Sequence, residues 1–94
     1  MKPIFVILVK YVQTLERVDA ALEAHRAFLD KYFGLKKIFC AGRQNPRVGG
    51  VILCQAETRE EAWSIVKEDP FYIQGIAEYD ITEFLPARWS ELQR

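Results

Sequence analysis

The chain has 94 residues, half of them apolar, which suffices for one folded domain (residues 1–94) at a size where a partner subunit often adds stability. Thirteen basic residues balance thirteen acidic ones, so the net positive field that non-specific binding to nucleic acid or anionic membranes requires is missing. The apolar run at residues 4–9 is too short for a secretion signal and nothing approaches the ~20 apolar residues of a membrane span, which predicts a cytoplasmic protein that meets small molecules or other proteins.

Residues 4–9 are apolar without a break and rich in β-branched side chains, the pattern of a central strand buried on both faces. Thr14 is placed to cap a helix that runs to about Phe33. Within it Leu15, Val18, Leu22, His25, Leu29 and Tyr32 or Phe33 recur three or four residues apart and share one buried stripe. Gly34 is expected to stop this helix in the left-handed conformation, with Leu35 packing back on the last turn. Residues 36–41 read as a second strand, the turn-rich stretch 42–50 as a hairpin loop, and residues 51–56 as a third strand. Thr58 and Glu61 have the offset of a capping box that opens a second helix with Ala62, Ile65 and Val66 inward. Pro70 is expected to close it, and also to hold Asp69 out of the α conformation, displaying its carboxylate at the helix end. In the last strand Ala77, Tyr79 and Ile81 alternate with Glu78, Asp80 and Thr82.

Strand, helix, strand, strand, helix, strand with right-handed crossovers predicts an α+β domain of the ferredoxin-like βαββαβ type. Both helices then cover one face of the sheet. The other face would expose apolar side chains of the first and third strands, more than the roughly few hundred Å² a monomer tolerates. A homodimer packed through the helix-free sheet face is the simplest cover. The tail 86–94, with Trp89 and Leu92, hides too little area to replace it. Cys40 and Cys54 are expected to be buried and free of metal, and no metal-ligand spacing occurs.

His25 is the chain's one histidine. On a buried helix stripe an unpaired imidazole costs roughly 2–7 kcal/mol, so a partner or a cavity must accompany it, and Asp69 is the best candidate. A carboxylate on one ring nitrogen fixes the tautomer and makes the other nitrogen a better proton acceptor. The alternative is that the two residues only satisfy each other and tie the helix to the loop before the last strand. Arg43 is a candidate to hold an anionic or phenolic group, the alternative being a solvated loop arginine. Phe71 and Tyr72 are candidate pocket walls or ordinary core, and Tyr11 is a candidate hydroxyl donor. Ser64 has no histidine motif around it, which argues against a hydrolase triad.

The segment HRAFL, the loop that begins AGR, the glycine pair before the third strand and the segment EEAWSIVKEDPFYIQG together resemble the YciI-like family, the YCII-related domain. The resemblance spans nearly the whole chain. It implies a dimeric α+β barrel of ferredoxin-like subunits with a histidine–aspartate dyad, here His25 and Asp69, and no cofactor. Family members with an activity are similar to cofactor-free lyases that eliminate halide from chlorinated aromatic compounds, dehydrochlorinases among them. The expected function is therefore general acid–base chemistry on a small, aromatic or halogenated ligand. The rival is a non-catalytic binding or accessory module in which the pair is structural. An RNA-binding domain is disfavoured, because Val51, Ile52, Leu53 and Cys54 stand where its strand would need basic and aromatic residues. A haem ligand role for His25 is disfavoured because a helix histidine aimed at its own sheet leaves little room for a macrocycle.

Overall fold

The N-terminal β-branched run becomes β1 (Ile4–Tyr11), followed by α1 (Leu15–Gly34), β2 (Ile38–Arg43), β3 (Gly49–Gln55), α2 (Arg59–Val66), the single-turn α3 (Pro70–Ile73) and β4 (Ala77–Phe84). The computed structural model describes residues 2–90. Its four strands lie in the order β2-β3-β1-β4, and each neighbouring pair is antiparallel. This is the ferredoxin-like α+β arrangement, with the β2–β3 hairpin between two crossovers.

Register decides which strand residues meet the helices. Phe5, Ile7 and Val9 stand opposite Cys54, Ile52 and Gly50 on one side and opposite Glu83, Ile81 and Tyr79 on the other. That face packs against Val18, Ala21, Phe28 and Tyr32 of α1 and Ala62, Ile65 and Val66 of α2. Each wholly buried Phe or Ile there contributes roughly 1.5–3 kcal/mol relative to exposure. β1 is central as expected but fully buried on one face only: on the other Ile4 is buried while Leu8 is 41% exposed, and Phe84, opposite Ile4, is 44% and Phe39 41% exposed. β3 starts tightly against β1, because a Cβ on Gly49 would lie 1.8 Å from the Val9 carbonyl oxygen, so glycine alone lets the two strands approach there.

Several local expectations change. Thr14 does cap α1, accepting from the Arg17 N–H at 3.2 Å. The left-handed residue at the helix end is not Gly34, however, but Lys36, with φ 60°. The Lys36 N–H donates to the Phe33 carbonyl and the Lys37 N–H to the Tyr32 carbonyl, the bond pair of a Schellman motif. These bonds offset the roughly 1–2 kcal/mol that a left-handed lysine costs. Leu35 consequently points away from the last turn and is 57% exposed. Since Lys36 belongs to the helix end, β2 starts two residues later than expected, at Ile38.

Pro70 opens a helix instead of closing one. α2 ends at Val66, and Pro70 takes the first position of α3, where its missing N–H costs nothing. Half of the expected capping box forms: Thr58 Oγ1 accepts from the Glu61 N–H at 3.1 Å, but the Glu61 carboxylate accepts from the Glu57 N–H at 2.8 Å, one residue ahead of the cap, instead of from Thr58. Cys54 is buried, and burial pushes its thiol up to about 11. Cys40 is exposed, contrary to expectation, because it stands opposite Leu53 on the uncovered face. In the tail Trp89 is 65% exposed, while Leu92 lies outside the described residues. Among the described residues no helix is long and apolar enough to cross a membrane, and no three His, Cys, Asp or Glu side chains gather as a metal site needs.

Candidate active site

The buried stripe of α1 runs through Val18, Ala21, Phe28 and Tyr32, rotated from the expected one, and both Leu15 and Phe33 are exposed. The rotation carries Leu22, His25, Arg26 and Leu29, spaced i, i+3, i+4 and i+7, onto the shoulder of the helix. There they face a cavity of about 320 Å³ instead of packed core. Its opposite wall is built by Val9 and Tyr11 of β1, Ala41 to Arg43 of β2, and Gly50 to Ile52 of β3, with Phe71 at one end and Arg47 of the hairpin loop at the rim.

Asp69 stands behind His25, wholly buried. Pro70 keeps it extended at φ −69° and ψ 125°, so it sits at the N-terminal cap of α3 with its carboxylate turned back toward α1. Oδ1 accepts from the Phe71 N–H at 3.0 Å and meets His25 Nδ1 at 2.8 Å, and Oδ2 accepts from the Tyr79 hydroxyl at 2.6 Å. With two donors already aimed at an acceptor-only carboxylate, the His25 bond is a third donation, which places the proton on Nδ1. Nε2 is then the basic nitrogen, and among the described residues it has no hydrogen-bond partner.

Packing fixes the ring as firmly as the hydrogen bond does. The Phe71 ring stacks on the imidazole with centroids 4.1 Å apart and planes within 2°. Tyr11 meets Phe71 edge-on at 6.0 Å. Burial, then the charge of Asp69, pushes the Tyr79 phenol far above its ordinary range, so it stays protonated and continues to donate to the carboxylate. An imidazole held in one tautomer and orientation, with one nitrogen open to a cavity, can accept a proton from a bound molecule and return it elsewhere.

Of the residues singled out in the sequence, His25, Tyr11, Arg43 and Phe71 line the cavity and Asp69 backs it. Tyr72 does not join them. One residue past Phe71 on a single-turn helix, it turns outward, is 40% exposed and packs edge-on against Tyr79. Sequence reasoning missed Tyr79, Arg26 and Arg47. The alternation of β4 already put Tyr79 on the inner face, where a phenol needs an acceptor. Nothing local named Asp69 as that acceptor.

Fold and site together define an α+β ferredoxin-like domain with a histidine–carboxylate pair beside a small cavity. The sequence matches the model of the YCII-related domain over residues 4–85, and the chain belongs to that family. Among solved structures it is similar to 5-chloro-2-hydroxyhydroquinone dehydrochlorinase (TftG) from Burkholderia phenoliruptrix AC1100, in complex with 2,5-dihydroxybenzoquinone. The likeness has a TM-score of 0.72 at 23% identity and covers 93% of each chain, which speaks for the fold. No curated protein sequence matches the chain significantly.

Proposed function

We propose that this protein is a cytoplasmic homodimer, forming a dimeric α+β barrel, that uses His25 and Asp69 without a cofactor to move protons on a small aromatic or carbonyl-bearing molecule. The observation that carries this reading is the 2.8 Å bond from His25 Nδ1 to a wholly buried carboxylate, at the wall of a cavity. In the proposed roles His25 Nε2 is general base and acid, and Asp69 orients the ring and stabilises the imidazolium. Tyr79 positions Asp69, and Tyr11, Arg43 and Phe71 bind the ligand.

The fold-level likeness to a dehydrochlorinase makes loss of hydrogen chloride from a chlorinated polyhydroxybenzene the reaction to test first. Chloride leaves an aromatic carbon reluctantly. A base that takes a ring-hydroxyl proton and returns it to the carbon bearing chlorine makes that carbon tetrahedral. Chloride can then depart as a second hydroxyl loses its proton, and the product is a quinone. The ring is oxidised by two electrons while the carbon–chlorine bond is reduced, so hydrogen chloride is lost and no external oxidant is consumed.

The helix-free face supports the dimer, since Leu8, Phe39 and Phe84 are too exposed for a monomer to leave bare without function. Sedimentation should give twice the chain mass, and Leu8→Glu should give one. For the site, the test is chloride release from 5-chloro-2-hydroxyhydroquinone together with binding of 2,5-dihydroxybenzoquinone, by wild type and His25→Asn. Turnover abolished with binding kept supports general acid–base chemistry. Binding without turnover in wild type supports the rival reading of a non-catalytic module, favoured by one observation: the pair also ties α1 to α3 and β4.

A further inference from the structure

The distribution of arginines is out of proportion to the overall charge. The chain is formally neutral, yet Arg26, Arg43 and Arg47 all line the cavity beside His25, and among the described residues no aspartate or glutamate does. Asp69 is screened behind the imidazole, with its oxygens committed to His25, Tyr79 and the Phe71 N–H.

The three arginines are not equivalent. Arg47 is bonded to Asp19, which raises its guanidinium's affinity for its proton and cancels its charge at the rim. Lys2, Lys31, Lys37 and Arg59 elsewhere likewise have carboxylate partners. Arg26 and Arg43 have none among the described residues, and of the cations without one they are the two that line this cavity. They also come from opposite walls: Arg26 follows His25 in α1, while Arg43 ends β2 opposite Gly50, which in turn pairs with Val9.

Two unpaired guanidiniums facing a partly apolar cavity provide planar forks that match a carboxylate or an enolate oxygen pair. Val9, Leu22, Leu29, Ile52 and Phe71 provide surfaces for an unsaturated ring. At about 320 Å³ the space lies at the lower end of small-molecule sites, roughly 300–1,000 Å³, and suits a single ring better than a nucleotide.

We infer that the ligand of this cavity is a single-ring organic anion whose carboxylate is held by Arg43 and Arg26 while its ring lies against Phe71 and His25. This rests on the proposed function for what His25 does to the ring, but the charge preference stands on the arginines. Arg43 and Arg26 would thus determine specificity.

The test compares two probes that differ by one carboxylate, 2,5-dihydroxybenzoate and hydroquinone, titrated calorimetrically into the full-length protein. The carboxylate should bind about tenfold or more tightly than hydroquinone, the effect of one charge-assisted hydrogen bond, and added salt should weaken it alone. Arg43→Gln, and separately Arg26→Gln, should weaken binding of the carboxylate more than that of hydroquinone and so reduce that preference. Both side chains are exposed at the cavity mouth, so the variants should fold, which thermal melting checks. Equal affinity for the two probes, no binding of the carboxylate at millimolar concentration, or a preference indifferent to both arginines would overturn the inference. His25→Asn separates it from the proposed function: it should still prefer the carboxylate. A protein that binds the carboxylate but turns nothing over leaves this inference standing while the catalytic reading falls. Turnover of neutral polyphenols with no anion preference does the reverse.

Discussion

Glu68 and Asp69 are adjacent acids that both reach α1, and they do opposite kinds of work. Glu68 accepts from the Lys31 ammonium at 2.8 Å and from the Tyr32 hydroxyl at 2.6 Å on an exposed seam. Asp69, one residue on, is wholly buried and takes His25, Tyr79 and a backbone N–H. His25 and Tyr32 lie seven residues apart, about two helical turns, so both acids read the same side of α1. Water screens the first pair and lets it exchange partners. The second carboxylate cannot lose a donor without stranding a buried polar group. Pro70 makes the difference, since it holds its neighbour Asp69, and not Glu68, in the extended conformation at the cap of α3.

Asp69→Ala is the strongest way to break this contrast. It should cost about 3–5 kcal/mol in denaturant unfolding, because a buried partner is removed and the Tyr79 phenol is stranded, and it should abolish turnover. A loss below 1 kcal/mol would mean that the network contributes little to the fold (~1 kcal/mol being the scale of one ordinary hydrogen bond). His25→Asn should lower turnover by about 10²–10⁴-fold with a folded chain. Ring ¹⁵N shifts of wild-type His25 should show Nδ1 protonated and Nε2 bare. The opposite tautomer would contradict the assigned direction of the Asp69 bond.

Tyr79→Phe sharpens the comparison from the other side. It leaves Oδ2 without its hydroxyl and should cost about 1–3 kcal/mol, with turnover reduced but not abolished. If melting is unchanged, water has replaced the phenol and the carboxylate is less isolated than its burial indicates. Glu68→Gln should have the smallest effect, and added salt should erase it. The Lys31 ammonium, then the Tyr32 hydroxyl, holds the Glu68 carboxyl below its ordinary value. Its contribution is therefore complete above the ordinary carboxyl range and is lost as the pH falls through the lowered folded value. Melting curves across acid pH should show that loss in wild type and not in Glu68→Gln.

Much of the fold was legible because the informative signals are local. Thr14 and the Thr58–Glu61 pair mark their helix starts, and the β-branched run of β1 and the alternation of β4 mark strands. Local signals failed where two competed. Gly34 is the better left-handed residue, yet the bond pair around Lys36 set the end of α1. Proline ends helices, but it begins them equally well, and Pro70 begins α3.

By itself the sequence determined the order of the four strands and the two longer helices, the family, and the requirement that His25 have a partner, since burying an imidazole demands one whatever the fold. Only the tertiary structure decided that Asp69 meets it across 44 positions, that Tyr79 donates to the same carboxylate, and that Arg26, Arg43 and Arg47 converge on one cavity. Those contacts depend on sheet register and on the rotation of α1 about its axis. Register joins residues far apart in the chain, and the helix rotation is set by how Phe28 and Tyr32 pack, not by the period of the helix itself.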